Sequence, residues 1–92
     1  MKFENIGYLL GAYFHQDWFY DAPSPDDVIR YFIERESAAR ILALKQELGQ
    51  LLDSDNASIS DSFIIDHNGY YDPHVDGLTV REWLKKIQIM LI

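Results

Sequence analysis

Two pairs of carboxylates, Asp17 with Asp21 and Asp72 with Asp76, are the first residues in this sequence that could do chemistry as an acid and a base. Such work needs two carboxyl groups at a fixed separation, one protonated and one ionised. A loop spacing of four residues fixes no separation, and acidic loop residues ordinarily cap helices or stay solvated. Asp72-x-His74-x-Asp76-Gly77 also imitates the first half of a calcium-binding loop. It fails at the twelfth position, which is Trp83, with Glu82 one residue early and a histidine where a hard cation needs oxygen. Asp53-x-Asp55 fails sooner, with Ser58 in place of glycine and Ile64 at the twelfth position. His15, His67 and His74 form no i, i+4 pair or short fork for zinc, and there is no cysteine to help. The expectation is a protein that is not an enzyme and carries neither metal nor cofactor.

Aromatic residues threaded with acids are the stronger pattern. Tyr13, Phe14, Trp18, Phe19 and Tyr20 place five aromatic rings within eight positions, followed by Asp21 and the run Ser24-Pro25-Asp26-Asp27. Tyr70 and Tyr71 repeat the theme beside Asp72 and Asp76. Trp18, Tyr20, Tyr70 and Tyr71 have two readings, as lids on the core or as anchors for a partner, because rings with a polar tip are enriched at binding hot spots. Trp83 belongs to the core.

Charge narrows the choice of partner. The 92 residues carry a net charge of -7, with 48% hydrophobic and 14% aromatic residues, so the chain should fold, as one domain over residues 1–92. Seven acids lie between Lys45 and Arg81, and five between Lys2 and Arg30, with no Lys or Arg among them. This field repels nucleic acid and anionic membranes and favours a basic protein, although acidic loops also serve solubility alone. There is no Gly-rich phosphate loop and no basic patch with interleaved aromatics. The absence of cysteine, of a cleavable leader and of a bilayer-length apolar segment points to the cytoplasm. Nothing in the sequence sets an oligomeric state.

The elements that must hold these loops are helical. A first helix is expected from about Asn5 to Phe14, on Ile6, Leu9, Leu10, Tyr13 and Phe14, with Gly11 marking close packing. Ser24 as N-cap and Pro25 at the first helical position start a second, which runs to about Glu36, with Asp26 and Asp27 as possible partners of Arg30. Ser37 caps a third, from Ala38 to about Leu52, the clearest 3.6-residue period in the chain. A fourth, capped by Ser58 and ended by Asn68-Gly69, has a strand as its alternative. Thr79 with Glu82 forms a capping box for a fifth, with Leu78 and Trp83 as a hydrophobic staple. The fold class is all-α: a compact bundle of about five short helices with two long acidic, aromatic loops.

With GAYFHQDW at Gly11 to Trp18, the D-x-P-S-P-D-D run from Asp21 to Asp27, and YYDP with DGLTVREWL from Tyr70 to Leu84, the sequence resembles the small immunity proteins of bacterial contact-dependent growth inhibition systems, the CdiI type. The likeness runs through nearly the whole chain in the same order. It implies a non-enzymatic antidote that binds the C-terminal toxin domain of a delivered effector, often a nuclease, in the cytoplasm of the producing cell. A nuclease attracts phosphate with a basic cleft, and an acidic protein enters that field quickly. The candidate toxin contacts are Asp17, Asp21, Asp72 and Asp76 as charges and Trp18, Tyr20, Tyr70 and Tyr71 as anchors. Contacts on other positions, such as Asp53 to Asp66, remain open, and so does a purely structural clasp made by the two loops. An acidic adaptor for some other basic protein is the alternative function.

Overall fold

The structure, a computed structural model, describes residues 3–53 and 59–91, and of Asp21 the backbone alone. Among the described residues there are six helices and no strand, so the all-α expectation holds. The helices are α1 (Glu4–Tyr8), α2 (Trp18–Asp21), α3 (Pro25–Arg35), α4 (Ala38–Asp53), α5 (Phe63–Asp66) and α6 (Val80–Met90).

The start signals in the sequence act as local chemistry requires. At α3, Ser24 Oγ accepts from the Asp27 amide at 3.3 Å, with Pro25 in the first turn. At α6 the capping box closes in both directions, Glu82 N–H to Thr79 Oγ1 at 3.0 Å and Thr79 N–H to Glu82 Oε1 at 2.9 Å. Apolar stripes then dictate the packing. Leu44, Leu48, Leu51 and Leu52 on α4 and Val80, Trp83, Leu84 and Ile87 on α6 are all buried, and α4 lies against both α1 and α6.

The first helix is held by a distant acid. Glu47, from α4, accepts the Asn5 amide at 2.9 Å and the Ile6 amide at 3.0 Å, and takes the Asn5 side-chain amide as well. A carboxylate there satisfies free N–H groups and sits at the positive end of the helix dipole. Glu47→Ala is expected to cost about 1–2 kcal/mol, the range for loss of an N-cap, read as a lower denaturant midpoint with unchanged m-value.

α1 does not end where its hydrogen bonds first change. It continues into a wider π-helical turn, Leu9–Tyr13, closed by the Phe14 amide on the Leu9 carbonyl at 3.3 Å. That turn buries Leu9, Leu10 and Phe14 together. Gly11 is packed less tightly than the sequence suggests, since an added Cβ would meet Asn68 Cβ at 3.8 Å and the His67 carbonyl at 3.9 Å.

Three further expectations change. His15 to Pro23 is not all loop, because Trp18–Asp21 forms the single turn α2 without a side-chain cap. The fourth helix shrinks to the one turn of α5, preceded by Ser62; the expected cap Ser58 lies outside the described residues. Asn68 ends that turn in the left-handed conformation, φ 68°. Lastly, Arg30 pairs with Asp27 at 2.8 Å, whereas Asp26 turns to Lys86 of α6 at 3.1 Å.

Candidate functional site

The two aromatic loops meet. The Tyr70 amide donates to the Phe14 carbonyl at 2.8 Å, and the Trp18 indole N–H donates to the Tyr70 carbonyl at 3.3 Å. Behind these bonds stands a cluster of four rings. Trp83 lies 5.1 Å from Phe14, edge to face, and 4.9 Å from Tyr71; Trp18 lies 5.9 Å from Phe14 and 5.7 Å from Tyr71. Such contacts are favourable beyond the area they bury and orient the rings they join.

Exposure rises along this series. Phe14, Trp83 and Tyr71 are buried, Trp18 is half-buried, and Phe19 and Tyr20 are 56% and 78% exposed. Phe19 continues the series from Trp18 at 6.2 Å and Tyr20 from Phe19 at 4.5 Å. The exposed rings thus stand on a base that reaches the centre of the core.

The eight candidate residues therefore divide. Tyr20 and Tyr70 are exposed, and Trp18 offers an edge. Tyr71 is only 5% exposed, which leaves its ring no face for a partner; it is the keystone between the loops. Its hydroxyl donates to Asp76 Oδ2 at 2.5 Å, so Asp76 is spoken for although exposed. Asp72 caps a 3₁₀ turn, Pro73–Asp76, accepting the His74 amide at 3.0 Å and pairing with the His74 ring at 2.8 Å through the same Oδ1. Asp17 is exposed, its amide donating to His15 Nδ1 at 3.1 Å. The side chain of Asp21 lies outside what the structure describes, as does Asp55.

Five exposed large apolar residues were not among the candidates: Phe19, Leu42, Ile65 at 73%, Val75 at 76% and Ile89. Ile65 was detectable. It is the third apolar residue in a row on a helical turn, and a helix packed on one side cannot bury all three of Phe63, Ile64 and Ile65.

The site is poor in catalytic geometry. Asp72 and Asp76 are committed to local hydrogen bonds, and among the described residues no three His, Asp or Glu side chains converge as metal ligands. Among those residues, too, no helix is long and apolar enough to cross a membrane.

The hydrogen bonds set a pH window. Asp72 is held below the usual carboxylate range by the His74 amide and then the His74 ring, Glu36 by the Tyr13 hydroxyl and, less, that of Tyr8, and Asp27 by Ser24 and then Arg30. Stability from lowered carboxylates is present above their ordinary values near 4 and is lost as pH falls through the lowered ones. Tyr71 and Tyr13 are pushed up by burial and then by their carboxylate partners, and Tyr8 chiefly by its bond to Glu36. Stability from raised phenols is complete below about pH 10 and is lost as pH rises beyond it. Thermal melts across pH are thus expected to show a plateau between about pH 5 and 9, with Tm falling on both sides.

Comparison with known proteins agrees with this architecture. The model of one family, described as CdiI immunity protein, matches residues 2–91. The chain belongs to the CdiI immunity protein family. No curated protein sequence matches it significantly. Among solved structures, a chain from the crystal structure of a CdiA-CT/CdiI complex from Y. kristensenii 33638 superposes with a TM-score of 0.87. The match covers 100% of both chains at 24% identity, a level that speaks for the fold. Within this CdiI family member, the contacts between Phe14, Trp18, Tyr70, Tyr71 and Trp83 account physically for two of the segments that carried the sequence resemblance.

Proposed function

We propose that this chain is a non-enzymatic antidote that binds the C-terminal toxin domain of a cognate contact-dependent growth inhibition effector in the cytoplasm and neutralises it. The observation that carries the reading is the family match over residues 2–91. The similar fold comes from a structure described as a complex of CdiA-CT with CdiI, which makes a CdiA C-terminal domain the natural partner to test.

The surface chemistry supports a basic partner and, among toxins, a nuclease. The chain carries -7 overall, and the exposed Asp17 and Asp72 lie in the same loops as Tyr20 and Tyr70. A nuclease cleft gathers phosphate by positive charge, so an acidic face is steered toward it and competes with nucleic acid. Charge sets the rate of encounter, and exposed rings seated in partner pockets slow dissociation.

Co-expression with the toxin domain encoded immediately upstream tests the reading. Restored growth together with a purified one-to-one complex supports it; protection without binding, or tight binding without protection, rejects it, the latter in favour of an adaptor. The folded double variant Asp17→Lys, Asp21→Lys is expected to associate about tenfold more slowly at low salt, with the difference shrinking as salt is added.

A further inference from the structure

Ile65, Tyr70, Tyr71 and Asp72 line a shallow apolar pocket of about 240 Å³. It adjoins a second, of about 160 Å³, that shares Ile65, Tyr71 and Asp72 and adds Asp61, Ile64, Pro73 and His74. Together they make a trough with an apolar chamber and a mixed one that carries two carboxylates, Asp61 and Asp72. The apolar chamber is walled by two exposed side chains, Ile65 at 73% and Tyr70 at 62%, while the buried Tyr71 supplies its edge. In the mixed chamber Asp72 uses Oδ1 for the His74 amide and ring. Among the described residues its Oδ2 has no partner and Asp61 reaches only the His74 ring, at 3.9 Å.

This arrangement selects its occupant by charge and shape. Among the described residues no Lys or Arg pairs with Asp61 or Asp72, and the net charge of -7 disfavours a second copy as the occupant. A long side chain with an apolar stem and a cationic head matches both chambers. The two carboxylates favour a planar guanidinium, whose fixed set of donors forks onto a carboxylate, over the point charge of lysine. We propose that the trough along Ile65, Tyr71 and Asp72 seats one arginine side chain of the toxin domain, its stem on Ile65 and Tyr70 and its guanidinium on Asp72 and Asp61.

The inference rests on the antidote reading, and one experiment separates the two. The purified toxin domain is titrated calorimetrically with the wild-type chain and with Ile65→Ala, Tyr70→Ala and Asp72→Asn, each variant first shown to melt cooperatively. Asp72→Asn retains an acceptor for the His74 amide and removes the charge and the second acceptor oxygen. Each substitution is expected to weaken Kd about tenfold, as hot-spot truncations do. In double-mutant cycles Asp72→Asn should couple to one toxin Arg→Ala change, and replacing that arginine by lysine should not restore affinity. A wild-type chain that binds no toxin domain defeats the antidote reading and the trough with it. Wild-type binding with all three variants within about twofold defeats the trough alone. Coupling to a lysine or to no cation also overturns it, as does self-association that Ile65→Asp abolishes.

Discussion

Trp83→Ala is expected to lower stability by about 3–5 kcal/mol, the range for removing a large buried aromatic side chain. A domain of this size has a total stability of only about 5–15 kcal/mol, so the variant loses a large share of its margin. The reason lies in what the indole joins. It is 2% exposed and stands on α6 between Phe14, at the end of the π turn, and Tyr71, at the root of the second loop. Removing it leaves a cavity under both loops, and the surrounding rings are fixed from other sides and can only partly collapse into it. The sequence holds just two tryptophans, so the variant retains Trp18 as its single indole fluorophore. Because Trp18 rests on Phe14 and Tyr71, its emission should shift to the red under native conditions, before global unfolding. A large loss of stability with an unshifted Trp18 spectrum would show that the aromatic loops hold without their base. Trp83→Phe should recover much of the loss, since packing rather than the indole N–H is what the site requires.

The contrast between legible and illegible parts of this chain follows from the range of the forces involved. α3, α4 and α6 could be delimited in advance because their determinants are local: Ser24 with Pro25, the leucine period of α4, and the reciprocal bonds of Thr79 and Glu82. α2 and α5 are single turns without a side-chain cap bond, and their form depends on what they touch. α2 is positioned by the Trp18 indole bonded to Tyr70, 52 residues away, and no pattern within the segment encodes that. The same holds for the π turn. Its widened turn goes with the burial of Leu9, Leu10 and Phe14, whereas Ile6, Leu9, Leu10, Tyr13 and Phe14 fit an ordinary helical period equally well.

At the candidate site, sequence located the loops but could not divide their residues. Tyr70 and Tyr71 are adjacent, alike in type and both beside Asp72, yet one is 62% exposed and the other 5%. Tyr71 is the one of the two that packs on Trp83, Phe14 and Trp18, and those rings come from distant parts of the chain. The buried clasp and the exposed face of the second loop are thus consecutive residues of one structure. Tyr71 with Asp76 holds the loop, and Tyr70 with Ile65 faces solvent.

Gly69→Ala tests how closely that division depends on backbone position, and it is expected to cost about 2–3 kcal/mol, toward the upper end for overpacking. A Cβ at residue 69 would stand 2.5 Å from Ile64 Cγ2, 3.1 Å from the Ile64 carbonyl oxygen and 3.3 Å from Leu10 Cβ. Two of those three neighbours belong to the backbone or its first side-chain atom and cannot swing aside. Ile64 is 2% exposed and β-branched, so its χ1 is stiff and its methyl has nowhere to go. The strain must therefore move residues 68 to 70, and with them the Tyr70 amide on Phe14 and the Tyr70 carbonyl on Trp18. Gly77→Ala provides the control. Gly77 has φ +75° with nothing within 4 Å of a new Cβ, so its cost is conformational only, about 1 kcal/mol. If crowding is the cause at Gly69, combining Gly69→Ala with Ile64→Leu, which deletes the Cγ2 methyl, should be less destabilising than the two single changes added together. The rescue should be partial, because the Ile64 carbonyl and Leu10 Cβ remain. Strict additivity in denaturant unfolding would show that residue 69 needs glycine for some reason other than this contact.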